Sequence, residues 1–278
     1  MQEEITRWFQ TNKRDLPWRK TNPWGVLVSE FMLQQTPVSR VLPAWRAWME
    51  RWPKPKDLAA ESRAEVIRAW GNLGYPRRAI RLHETSQILT NVHGGTVPRH
   101  VETLRTLPGV GEYTASAISA FAFGERALVL DTNIRRLFSR MIDGKEFPPL
   151  HQTNTEKNSR RELIPEQASL WAAATMELGA LVCKSQDPQC DFCPVSQICQ
   201  WRIAGYPRST ELKKKQGWHG TNRQCRGVIL KELRTNPSTT RDALLDLWSE
   251  SSQLDMCLET LVTDGLITKQ ENVYRLAD

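Results

Sequence analysis

The chain has no apolar run long enough to cross a bilayer. Its first residues, MQEEITRWFQ, lack the basic-then-apolar order of an export leader. Strand-like alternation is rare before residue 217, and there is no internal repeat and no low-complexity tract. These absences argue against a membrane-spanning, all-β, solenoid or disordered protein, and the expected place is the cytoplasm. Thiols stay reduced there, so clustered cysteines point to metal before disulfide. Cysteine itself is scarce, six in 278 residues, yet four of the six fall within CKSQDPQCDFCPVSQIC.

What is present is helical and basic. A length of 278 residues with 40% hydrophobic residues supports one large domain or two to three small ones with real cores. The net charge of +7 favours an anionic partner such as nucleic acid. The charge is uneven: residues 217–278 hold seven Lys and Arg against nine Asp and Glu, a balance of −2, which leaves +9 to the rest. A polyanion should therefore meet the first part of the chain.

Apolar residues recur at helical spacing through most of the sequence. EEITRWFQ reads as an amphipathic helix, and PWGVLVSEFMLQQ as a helix buried on nearly all sides. PVSRVLPAWRAWMERW carries Pro37 at a first-turn position. SRAEVIRAW stops at Gly71, and PRRAIRLHETSQILTNV runs into a glycine pair. VETLRTL, EYTASAISAFAF, DTNIRRLFSRMI and PEQASLWAAATMELGALV complete the set. Residues 205–216 are polar, turn-rich and lysine-rich, the composition of a linker. Beyond it, three helical patterns and a two-strand pattern around Glu271-Asn272 predict a small winged-helix-like domain.

Cys183, Cys190, Cys193 and Cys199 can wrap one site. Spacing leaves two occupants open, a structural zinc in a four-thiolate cage or a [4Fe–4S] cube. Cys225 and Cys257 lie on helical faces and read as small core residues. The LPGVG stretch holds Leu107, Gly109, Val110 and Gly111 between two helices. It reads equally as an ordinary helical connection or as a turn whose backbone N–H groups receive a DNA phosphate. Glu30, inside VLVSEFML, would have its pKa raised by desolvation, which suits a general acid; a buried glutamate with a backbone or arginine partner is the plainer reading. Asp131 opens DTNIRRLF, where a helix N-cap is the simple explanation.

Taken in order, LPGVGEYTASAI, VLDTNIRRL, and MELGALVC with its C-x6-C-x2-C-x5-C loop resemble the helix-hairpin-helix DNA glycosylases that carry an iron–sulfur cluster. SEFMLQQTPV is similar to the MutY branch, adenine glycosylases acting on A opposite 8-oxoguanine or G. The resemblance spans about residues 8 to 202. It implies an all-α, two-lobed fold, one lobe being 23–127 and the other 1–22 with 128–204, followed by the linker 205–216 and the tail 217–278. It also implies one [4Fe–4S] cluster on the four cysteines, extrusion of a base from double-stranded DNA carrying a mispair or oxidised guanine, and a monomer.

By motif position the resemblance makes Glu30 the acid that protonates adenine and helps activate water. Asp131 becomes the carboxylate that meets the sugar cation, and Asn133 its polar assistant. Tyr113 falls where lyase members carry lysine, which implies a monofunctional enzyme, since a phenol forms no Schiff base. Gln34 and Gln35 match the stretch inserted beside the lesion. Leu16 and Arg19 match residues near the flipped base. Leu107, Gly109, Val110 and Gly111 match the DNA-binding hairpin. Two departures stand out: the family's adenine-contacting Gln or Glu is replaced by Ala173, and the C-terminal Nudix-like domain is replaced by a short tail. The competing readings are a mismatch thymine or uracil glycosylase and an inactive iron–sulfur DNA-binding module.

Overall fold

The computed structural model describes residues 1–209 and 217–278. Most of the expected linker, including Lys213, Lys214 and Lys215, lies outside the described residues. In chain order the helices are α1 Gln2–Asn12, α2 Pro23–Leu33, α3 Val38–Arg51, α4 Pro55–Ala59, α5 Arg63–Trp70, α6 Arg77–Val92, α7 Val101–Leu104 and α8 Glu112–Phe123. They continue with α9 Thr132–Met141, α10 Asn154–Arg161, α11 Ala168–Leu181, α12 Gln200–Ile203, α13 Asn222–Thr235, α14 Arg241–Leu245 and α15 Ser251–Thr263. Among the described residues three short strands, β1 Thr239–Thr240, β2 Ile267–Gln270 and β3 Val273–Leu276, all lie in the tail.

Local chemistry explains most of the boundaries. Ser62, Asp131, Thr153, Thr221 and Thr240 each accept a backbone N–H from the first turn of the helix they open. Pro37 is the N-cap of α3 rather than a first-turn residue. Pro43 lies inside α3, but on an exposed face, so the carbonyl it leaves free can be solvated. The sequence did not announce α4, which is a single short turn of five residues, or α10, which is short and polar.

By packing, the chain divides into two units. The first comprises Met1–Val26, Pro98–Thr106 and Val110–Lys213; the second comprises Leu27–Val97, Leu107–Gly109 and Lys214–Asp278. This division differs from the lobes expected above, since 110–127 pack with the first unit and the tail packs with 27–97. In the first unit, α9 and α11 lie against each other with α1 and α8. Their core holds Ile5, Phe9, Ile134, Phe138, Trp171 and Leu178. In the second unit, α6 is covered by α4 and α5, and Trp48 meets Trp52 and Trp70 edge-on at 4.6 and 5.6 Å.

The tail has the predicted winged-helix-like order. Its three helices carry an antiparallel sheet in the order β1-β3-β2, with Thr239 opposite Tyr274 and Ile267 opposite Leu276. Cys225 and Cys257 are buried in its core. No described helix is long and apolar enough to cross a membrane.

Candidate nucleic-acid interface and active-site residues

Glu30 belongs to the second unit. It is 6% exposed, between the fully buried Ser29 and Phe31. Helix α2 stops three residues later, short of the predicted end at Gln35, and Arg78 is the reason. Its buried guanidinium donates to the carbonyls of Phe31 (2.8 Å), Met32 (3.1 Å) and Gln34 (2.5 Å), the acceptors a helix end leaves unpaired. It also donates to Thr36 Oγ1 (3.0 Å) and to the carbonyls of Leu73 (3.1 Å) and Gly74 (2.9 Å). Burial pulls Arg78 down to about 10, still cationic at neutral pH.

One side chain thus clamps two turns. Gln35 sits in the first with φ of 56°, exposed; Tyr75 sits in the second with φ of 47°, also exposed. Left-handed conformations at non-glycine residues are costly and need a framework that imposes them. Gln34 points its amide at the Gly109 carbonyl, 3.4 Å away, while Gln35 is left outward.

In the hairpin, Gly109 has φ of +78°, and a Cβ there would come within 2.9 Å of the Phe31 ring and 3.0 Å of Arg81 Cβ. Thr85 Oγ1 donates to the Pro108 carbonyl at 2.9 Å. Gly111 is the N-cap of α8, with extended backbone and open space where a Cβ would be. Leu107 and Val110 are buried. Their side chains are thus turned away from solvent.

Asp131 belongs to the first unit and is the N-cap of α9: Oδ1 accepts from Ile134 N at 2.7 Å and Oδ2 from Asn133 Nδ2 at 2.7 Å. Asn133 in turn accepts from Arg136 Nη2 at 2.9 Å. Arg136 also donates to the carbonyls of Gly179 (2.6 Å) and Cys183 (2.7 Å). A Cβ at Gly179 would strike the Asn133 backbone at 2.6 Å, so glycine lets α11 approach this chain of bonds. Burial pushes the Asp131 carboxyl up, against the pull of its hydrogen bonds and of Arg136. Tyr113, on α8, is half-buried against the same core.

Leu16 is buried, and Arg19 is committed to protein partners. Its fork donates to Glu177 Oε2 at 3.0 Å and to the Arg14 carbonyl at 2.7 Å. Arg14 holds the same carboxylate through Nε, Nη2 and its backbone N–H at 2.8–2.9 Å. Burial pushes the Glu177 carboxyl up, but the Arg14 bonds and Arg19 outweigh it, so the net shift is downward. The stability it contributes is present above the ordinary carboxylate range and lost as pH falls through its lowered pKa. Glu177→Gln should therefore cost about 1.5–3 kcal/mol at neutral pH. The difference should shrink in acid, a pattern that urea unfolding at pH 7 and pH 4 would check; a pH-independent difference would contradict it.

The four loop thiols are unpaired and line one cavity of about 20 Å³ with Leu137, Met141 and Trp201. Among the described residues no three metal-binding side chains converge closely enough to hold an ion. The donor set nevertheless suits a four-thiolate group. Burial pushes Cys193 up to about 12 and Cys183 upward too, a cost that a bound metal would offset. Two buried guanidiniums stand ready to offset a net negative group: Arg136, and Arg140, which lies 3.6 Å from Cys183 Sγ and over the Trp201 ring at 4.6 Å. Arg140 also ties the loop through the carbonyls of Lys184 (2.7 Å) and Glu146 (3.0 Å).

Residues 28–163 match the model of the HhH-GPD superfamily base excision DNA repair proteins. An adenine DNA glycosylase of Mycolicibacterium smegmatis is 46% identical over 270 residues, covering 95% of this chain and 91% of the relative. The chain belongs to the HhH-GPD superfamily, on its adenine DNA glycosylase branch. The human adenine DNA glycosylase is 39% identical over 71% of this chain, which covers 38% of that longer protein. Among solved structures, a thermostable thymine-DNA glycosylase has a TM-score of 0.67 at 27% identity, over 73% of this chain and 94% of the other. An endonuclease III–DNA complex at 24% identity and TM-score 0.64 shares the fold.

For this HhH-GPD chain, sequence reasoning missed the buried charged groups Arg78 of the second unit and Arg136, Arg140 and Glu177 of the first. Ala173 is a half-buried core residue of α11.

Proposed function

We propose that the chain is a monofunctional glycosylase that removes adenine mispaired with 8-oxoguanine or guanine from duplex DNA. The observation that carries this is the identity to adenine DNA glycosylases along nearly the whole chain. In this reading Glu30 delivers the proton that makes adenine a leaving group, and Asp131, oriented by Asn133 and Arg136, faces the sugar cation. Gln35 enters the duplex from its exposed turn, and the N–H groups at Gly109 and Gly111 take a backbone phosphate.

Cys183, Cys190, Cys193 and Cys199 would hold a [4Fe–4S] cluster. Bound, it would staple a loop with little core of its own and set its charge beside Arg136 and Arg140. Purified protein should be brown, absorbing near ~400 nm, and Cys193→Ala should lose that band. A colourless active protein with stoichiometric zinc would refute the assignment.

Removal of thymine is the second reading, favoured by the likeness to a thymine-DNA glycosylase and by Ala173. Labelled duplexes carrying A:8-oxoguanine, A:G, T:G or U:G, treated with enzyme and then alkali, separate the two: strand breaks are expected at the first pair of substrates, and breaks only at T:G or U:G would reverse the assignment. Without alkali the strands should stay whole, and borohydride should trap no adduct at Tyr113. Efficient trapping would mean that an amine acts.

A further inference from the structure

The tail exposes Arg223, Lys231, Lys269 and Arg275, but its third helix carries little that would hold DNA. Helix α15, where a winged helix presents its reading face, contains Asp255 and Glu259 and no Lys or Arg. Arg226 is engaged by Asp264 at 2.5 Å, and Arg241 by Asp255 at 2.6 and 2.8 Å. What the tail does hold is the segment between α5 and α6. Ile229, Leu230 and Leu233 share one buried core with Ala64, Ile67 and Ile80. Arg234 reaches out of α13 and donates to the Ile67 carbonyl at 3.2 Å, in the last turn of α5. Asp264 pairs with Arg77, the first residue of α6, at 3.3 Å. These contacts grip residues 67–80 at both ends, and between them lie the Tyr75 turn and Arg78.

We propose that the C-terminal unit is a brace for the lesion-facing turns. Arg234 and Asp264 are positioning residues that fix the 67–80 segment. Arg78 is thereby held on the Phe31, Met32 and Gln34 carbonyls, and Gln35 in its left-handed conformation. The assignment of lesion contact to Gln35 rests on the function proposed above; the brace itself does not.

The test uses the full-length protein, with Arg234→Met/Asp264→Ala as the loosened variant and Arg234→Lys as the conservative one. Amide exchange at residues 33–36 and 72–78 should speed up about tenfold in the double variant, the size expected when a hydrogen bond to a charged group is lost. Exchange in α9 should be unchanged. Preference for A:8-oxoguanine over matched duplex should fall by a similar factor with matched-duplex affinity retained, and Arg234→Lys should restore both readouts. If the double variant fails to fold, Asp264→Asn alone is read in the same way.

Unchanged exchange in both turns overturns the brace. Faster exchange with full lesion preference overturns its role in recognition, and equal loss of both affinities makes the tail a direct DNA contact instead. A wild-type protein without lesion preference sinks the proposed function, while the exchange result still decides the brace.

Discussion

Glu30→Gln should fold, bind a lesion duplex and release almost no adenine. The side chain is 6% exposed in α2, so an isosteric amide keeps the packing around it. What it removes is a transferable proton. General acid catalysis contributes about 10²–10⁴-fold, and the single-turnover rate on an A:8-oxoguanine duplex should fall by that much. Duplex affinity should change little, because the Arg78 clamp and the Gln35 turn use backbone carbonyls that the substitution leaves alone. A variant with the wild-type rate would remove Glu30 from the mechanism. An unfolded variant would instead show the residue to be a structural buried glutamate, the plainer reading of the sequence.

Asp131→Asn should be nearly as severe, for a different reason. Asparagine is as good an N-cap as aspartate, so the bond from Ile134 N survives and α9 should stay in place. The charge does not survive, and a developing sugar cation loses its partner, worth about 10²–10³-fold in a water-poor site. A second penalty comes from the neighbours. Asn133 is held in one orientation by Arg136, so its amide N–H would confront the new amide N–H at position 131. That mismatch should cost about 1–3 kcal/mol in denaturant unfolding. A variant that loses activity with unchanged stability would mean that Asn133 turns over freely, and Arg136 would then not be what orients it. The pH profile supplies a further check. In the proposed mechanism the anion is the working form, and burial raises the Asp131 pKa. Base release should therefore decline on acidification at a higher pH than an ordinary carboxylate would give.

Most of the long helices were legible because apolar spacing and capping residues act within one or two turns: Asp131 does in the structure what that residue type does anywhere. The cysteine loop was legible because four thiols so close in sequence have one cavity to line. The winged-helix-like order of the tail followed from its alternation of patterns, and its charge of −2 pointed away from DNA.

The sequence alone therefore determined most of the helical segments, though not α4 or α10, where the thiol loop lies and which carboxylates are candidates. It could not show which arginines are buried. Arg78 stands in PRRAIR between Arg77 and Arg81, which are exposed, and Arg136 and Arg140 stand in NIRRLFSR with Arg135, which pairs with Glu156; periodicity marks only apolar faces. Whether a guanidinium can leave water depends on the carbonyls that await it, and those come from distant segments: Phe31 for Arg78, Cys183 for Arg136, Lys184 for Arg140. Tertiary structure alone decided that α2 stops at Leu33, that Leu107 and Val110 turn inward, and that the tail packs on Ile67 and Ile80. Each outcome was set by acceptors or apolar area brought together by the fold, because burying a charge or a methyl group is favourable only where its partners already stand.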